Sequence, residues 1–190
     1  VVCYKKLQYI PRKEDWLYRT PYYFFKSLAA LIEREPKYKS KIRIKFVGNK
    51  PTWIDSMITE FKLENNCDFV GPLNHKGAIK FQKGCDALLL TSSKVIEGKD
   101  YSIAGKTFEY LTMKKPILSF VCDGAQKDLL VNTGVAIICN PDNISESAEK
   151  IQKLVEYKTL FRPNHNFMDS FQRKILTEKL SRVIKEVIKA

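Results

Sequence analysis

The sequence predicts an α/β fold of the Rossmann-like kind, a parallel sheet of about six strands with helices on both faces. Three observations carry that expectation. Short β-rich runs alternate with amphipathic helical runs along the whole chain. The run "DALLLTS" (86–92) is apolar almost without a break, as in a strand buried on both faces. The chain has 190 residues, 44% hydrophobic and 28% charged, enough for one domain with a real core. No Gly/Ser linker, internal repeat or low-complexity segment divides it, so 1–190 is read as a single domain.

The elements follow in order. "KLQYI" (6–10) is the first expected strand. A helix follows in "TPYYFFKSLAALIERE", with Thr20 as cap, Pro21 at its first position and Phe24, Leu28, Leu31 and Ile32 on one face. "KIRIKFVG" (41–48) reads as a strand, 52–65 as a helix, and "CDFVG" (67–71) as a strand. A short helix in "LNHKGAIKFQKG" stops at Gly84, strand 86–92 comes next, and 93–103 is a loop. Beyond it stand helix 105–113, strand "KPILSF", a helix over "GAQKDLLVNT" and strand "GVAIICN". Two helices close the chain, at roughly 143–158 and 165–189. Ligands of open parallel sheets bind beyond the carboxyl ends of the strands. The loops after Ile10, Gly48, Gly71, Ser92, Phe120 and Asn140 are therefore the ones to inspect.

Composition narrows the function. The net charge of +12 keeps nucleic acid and anionic lipid headgroups open as partners. Lys and Arg are nevertheless spread along the chain among 21 acidic residues, as on a solvated surface, and no nucleic acid is expected. Five Cys at 3, 67, 85, 122 and 139 lack metal-site spacing, and four lie in or beside apolar runs. Buried, reduced thiols in a cytoplasmic protein are the economical reading. His75 and His165 have no partner motif, so neither metal nor cofactor is expected. The opening "VVCYKKLQYI" has no initiator Met and too short an apolar part for a signal sequence, as in an excised fragment. No apolar run approaches the roughly 20 residues of a membrane span.

The stretch "YSIAGKTFEYLTMKKPILSF" (101–120) carries the chemistry. A helix starting near Gly105 offers unpaired N–H groups and a partial positive charge. Gly105 lets an anion come close, and Lys106 adds a full charge. Glu109, three residues on, shares a face with Lys106, and its carboxylate suits the two hydroxyls of a ribose. Diphosphate and ribose together describe a nucleotide. The alternative is a surface Lys106–Glu109 ion pair at an ordinary helix start. A strict P-loop is absent, since Asp100 stands where that motif needs Gly, although Thr107 follows the Lys.

The segment "AGKTFEYLTMKKPILSFVCDGAQKDLLVNTGVAIICNPDN" resembles the donor-binding half of a GT-B glycosyltransferase of the family-four type. Lys106, Glu109, Tyr110, Leu111, Lys115, Pro116, Ile117, Gly124 and Gly134 fall in order on that family's pattern, and the similarity extends over nearly the whole chain. The resemblance implies a C-terminal domain that binds a nucleotide-diphosphate sugar, half of a two-domain enzyme whose N-terminal acceptor half is missing here. It implies transfer of the sugar to an acceptor hydroxyl with retention of configuration, in polysaccharide or glycoconjugate synthesis. Glu109 resembles the second Glu of the family's Glu-seven-residues-Glu pair, while Tyr101 occupies the place of the first. Ser102, Ala104, Gly105, Lys106 and Thr107 resemble the diphosphate and sugar loop, and Gly71 and Leu73 the base loop. Arg12 and Arg19 are further candidates for the diphosphate, as is Lys13. No catalytic residue is assigned, and the fragment alone is expected to transfer nothing. A peripheral contact with the inner face of a membrane fits the charge. A non-catalytic nucleotide-binding or interaction module and a nucleotide-sugar epimerase of the same architecture are the alternatives.

Overall fold

The computed structural model describes residues 13–157 and 161–189. The expected strand at 6–10 lies outside the described residues. β1 (Glu14–Asp15) leads through a 3-10 turn at Trp16–Arg19 into α1 (Tyr22–Arg34). Pro21 is the residue before the helix rather than its first, and Thr20 Oγ1 still accepts from the Tyr22 N–H at 3.2 Å. One turn, α2 (Tyr38–Lys41), takes the start of the expected 41–48 strand and leaves β2 as Ile44–Val47. α3 (Ile54–Glu60) stops short of the expected 52–65. Lys62 turns left-handed at φ 56°, so that its N–H and that of Leu63 close on the Thr59 and Ile58 carbonyls at 3.1 and 3.0 Å.

β3 (Cys67–Gly71), α4 (His75–Lys83) and β4 (Leu88–Thr91) follow as expected. β5 (Lys94–Val95) lies in the stretch read as loop and pairs antiparallel with β1. Two residues are too few to show a period, so the pairing left no trace in the sequence. Then come α5 (Gly105–Met113), β6 (Ile117–Phe120), α6 (Ala125–Val131), β7 (Ala136–Cys139) and α7 (Ile144–Glu156). The helix expected over 165–189 is two, α8 (His165–Asp169) and α9 (Arg173–Lys189), separated by a turn at 170–172.

β2 and β3 pair in parallel, and β4, β6 and β7 form a second parallel set with β6 in the middle. All four residues of β6 are buried, and its side chains alternate between two cores. Leu118 and Phe120 join Phe25, Leu28 and Leu31 of α1 and Ile151 of α7. Ile117 joins Leu111 of α5, Leu130 of α6 and Met168 of α8. Helices thus cover both faces, which is why the strands read as unbroken apolar runs. Phe25, Leu28, Leu31 and Leu130 are fully enclosed, each burial worth about 2 kcal/mol. The first core also takes in Ile44 of β2 and Ile54 of α3, so it joins the two strand sets. α9 is amphipathic and leaves Leu176, Leu180, Val183, Ile184, Val187 and Ile188 exposed. No helix among the described residues is long and apolar enough to cross a membrane.

Candidate functional site

Parallel pairing of β4, β6 and β7 brings their carboxyl ends to one edge. Two loops meet there, 100–104 before α5 and the turn after β6. Asp100 and Gly124 form a parallel bridge, and the Ala125 N–H donates to the Asp100 carbonyl at 2.8 Å. Gly124 sits at φ 147°, and a Cβ there would meet the Asp100 carbonyl oxygen at 2.1 Å. Only glycine fits this approach. Asp100 is buried, and its Oδ1 accepts from the Ser102 N–H at 2.9 Å and the Ser102 hydroxyl at 2.6 Å.

α5 begins after Ala104, an extended residue with no side chain to cap the helix. The capping acceptor comes from α6 instead. Gln126 Oε1 accepts from the Ala104 N–H at 2.8 Å and from the Thr107 hydroxyl at 3.1 Å. The Thr107 N–H turns back to the Ala104 carbonyl at 2.9 Å. The N–H groups of Gly105 and Lys106 have no hydrogen-bond partner among the described residues. Nothing outside its own turn lies within 4 Å of where a Gly105 Cβ would stand, so the helix start is open on that side. Lys106 and Glu109 are both exposed, and neither side chain makes an ion pair or hydrogen bond among the described residues. The surface pair that their spacing allowed is not formed. What remains is the positive end of a nine-residue helix with two N–H groups, an ammonium and, one turn on, a carboxylate, none of them partnered among the described residues.

The other sequence candidates divide. The Thr107 hydroxyl faces inward: the residue is fully buried, and its proton goes to Gln126. The Ser102 hydroxyl proton is likewise spent on Asp100, although the residue itself is exposed. These two hydroxyls brace the loop rather than face out of it. Tyr101, standing in place of an acidic residue, is 81% exposed. Gly71 ends β3 at φ 82°, with Leu73 exposed just beyond, in the β2–β3 set. No hydrogen bond joins them to the α5 start among the described residues. The Arg19 guanidinium lies over the Trp16 ring, 4.7 Å from its centre, and the Arg19 carbonyl accepts from Thr91 Oγ1 at the end of β4. Arg12 lies outside the described residues. Of the aromatic residues near α1, Trp16 is exposed while Tyr18 is buried against Tyr23. His75 is an exposed first-turn residue of α4, whose cap is Asn74.

A cavity of about 570 Å³ opens beside this loop, at the ends of β6 and β7. Its three lysines are all paired, Lys94 with Asp142 at 2.6 Å, Lys127 with Asp123 at 2.7 Å, and Lys150 with Glu146. Tyr18 also donates to Asp142, and its hydroxyl pKa is raised, first by burial and then by this bond. An anion entering the cavity would share these lysines with carboxylates already paired to them, whereas the α5 start needs no such sharing. Burial pushes the Cys122 thiol on its wall up to about 11, so it is not a thiolate at neutral pH. Among the described residues no group of three or more His, Cys, Asp or Glu converges as a metal-ligand set. Sequence reasoning missed Gln126, because nothing along the chain ties position 104 to position 126.

A family model for glycosyl transferases of group 1 matches residues 21–169. The chain belongs to that family. Among solved structures, this group 1 chain is similar to sucrose-phosphate synthase from Thermosynechococcus elongatus, at 13% identity over 87% of this chain and 42% of that one, TM-score 0.63. It is similar to HepE of Anabaena in complex with UDP, at 14% identity over 88% of this chain and 46% of that one, TM-score 0.61. The pneumococcal O-GlcNAc transferase GtfA, in complex with UDP and GlcNAc, matches at 15% identity over 88% and 33%, TM-score 0.56. At such identities the likeness is one of fold, the Rossmann-like α/β half of the GT-B architecture. The group 1 chain spans less than half the length of these structures. No curated protein matches it.

Proposed function

We propose that this chain is the donor-binding domain of a nucleotide-sugar-dependent glycosyltransferase of the family-four type. The start of α5 carries the reading: two open N–H groups and Lys106 for a diphosphate, with Glu109 one turn on for the ribose hydroxyls. The UDP held by HepE and by GtfA supports it. Breaking the bond between sugar and diphosphate builds negative charge on the leaving oxygen. Fixed N–H groups stabilise that charge without reorganising as it grows, and a nearby ammonium adds to them. On this chain those are Gly105, Lys106 and the helix end behind them. Glu109 orients the nucleoside and takes no proton. The sugar leaves for an acceptor hydroxyl with retention of configuration, as the resemblance implies; the hydroxyl proton goes to the departing diphosphate, and the acceptor is held by a second domain. The exposed apolar stripe of α9 is surface that such a domain would cover. A cytoplasmic enzyme of cell-surface polysaccharide or glycoconjugate synthesis fits this chemistry. The +12 charge favours peripheral contact with an anionic membrane face.

Calorimetric titration with UDP and with GDP tests the reading, and one of the two is expected to bind. Gly105→Ala separates function from fold. A Cβ there meets nothing, and alanine is at least as good a helix former at this first position, so stability holds or rises. The added methyl stands over the open N–H groups, and diphosphate affinity falls about tenfold. Absence of heat with both nucleotides, or full affinity in the variant, would refute the placement.

A further inference from the structure

Gln126 is 2% exposed, and its side chain reaches from the first turn of α6 to the first turn of α5. A backbone N–H can only donate, so the amide oxygen, not the nitrogen, faces Ala104. Nε2 is then left buried with no hydrogen-bond partner among the described residues. A leucine would fill the same space without burying a lone donor, so simple packing does not explain the amide. Its oxygen does. Ala104 has no capping side chain, and Gln126 Oε1 takes both the Ala104 N–H and the Thr107 hydroxyl. With those two donors taken up by Gln126, the Gly105 and Lys106 N–H groups are the pair left without a partner among the described residues.

We infer that Gln126 is a positioning residue for the donor diphosphate: it caps α5 from another helix and so aims the Gly105 and Lys106 N–H groups at the phosphates. The inference rests on the donor reading above and adds to it a residue outside the loop. Gln126 acts through the loop and touches no reacting atom. It works beside the Asp100–Gly124 latch, which holds the far end of the same loop.

The test compares each nucleoside diphosphate with its own nucleoside, UDP against uridine and GDP against guanosine, by calorimetry on the full-length protein. The unsubstituted protein binds one diphosphate far more tightly than its nucleoside. Gln126→Leu keeps the volume but loses the acceptor. It lowers that diphosphate-over-nucleoside ratio about tenfold, leaves nucleoside affinity within about twofold, and exposes the Ala104 amide to hydrogen exchange. A merely structural residue would weaken both ligands together. Gln126→Glu keeps an acceptor for both contacts, so the Ala104 amide stays protected and the ratio stays well above that of Gln126→Leu. An unchanged ratio in folded Gln126→Leu, or a ratio in Gln126→Glu no higher than in Gln126→Leu, overturns the inference. A ratio near one in the unsubstituted protein is a separate result: it refutes the donor reading itself.

Discussion

Glu109→Ala is expected to weaken nucleoside-diphosphate binding roughly 10- to 100-fold while leaving the unfolding midpoint nearly unchanged. The two effects part because of what the residue does not touch. Glu109 is exposed, and its carboxylate has no partner among the described residues. Thr112 Oγ1 donates to the Glu109 carbonyl at 2.6 Å, a backbone contact that survives the substitution. Surface changes of this kind shift stability by no more than about 0.5 kcal/mol. A charge-assisted hydrogen bond to a ribose hydroxyl is worth about 1.5–3 kcal/mol, which sets the size of the binding loss. Repeating the titration with the 2′-deoxy and 3′-deoxy diphosphates identifies the contact. If the carboxylate holds the ribose, removing the hydroxyl it accepts from makes the Ala substitution nearly silent. An equal loss with both deoxy ligands would take Glu109 off the ribose.

Gly124→Ala is expected to damage fold and binding together. The new Cβ would stand 2.1 Å from the Asp100 carbonyl oxygen and 2.9 Å from its carbon and nitrogen, all backbone atoms with little freedom to move. The residue would also have to hold φ 147°, a conformation that side chains avoid. Relief requires the 100–104 loop to leave the turn after β6, with loss of the Ala125 N–H bond to Asp100. Strain and lost pairing together come to about 3 kcal/mol or more, a drop that a denaturant melt reads directly. Diphosphate binding falls with it, because the same loop sets the α5 start. Unaltered stability in this variant would mean that the latch is not as close as described. The contrast with Gly105, where a Cβ meets open space, makes the pair of glycines a control for each other.

Much of the fold was legible because the strands of a two-faced sheet are apolar on both sides. The β4 and β6 runs announce themselves for that reason, as does the helix start at Gly105. Element ends were less legible. Lys62 and Lys114 take left-handed stops that the sequence does not signal as a glycine would, and β5 is too short to show a period. The candidate site was legible where one helix turn supplies its groups, at Gly105, Lys106 and Glu109. It was illegible wherever a partner is distant in sequence. Thr107 is a candidate in the sequence because the stretch 102–107 resembles a diphosphate loop; only the fold shows Gln126 accepting its proton. Ser102 is turned to Asp100 in the same way. Local chemistry can be read from a string of residues, whereas the direction of a hydroxyl depends on what tertiary packing places opposite it.

The central claim is that the nucleotide's phosphates sit on the first turn of α5. Amide chemical shifts of ¹⁵N-labelled protein, followed as UDP and GDP are titrated in, test it most directly. The predicted result is that one diphosphate moves the Gly105, Lys106 and Thr107 amides most, and that its nucleoside moves them far less. Shifts concentrated instead around Lys94, Lys127 and Lys150, with the α5 amides unmoved, would contradict it.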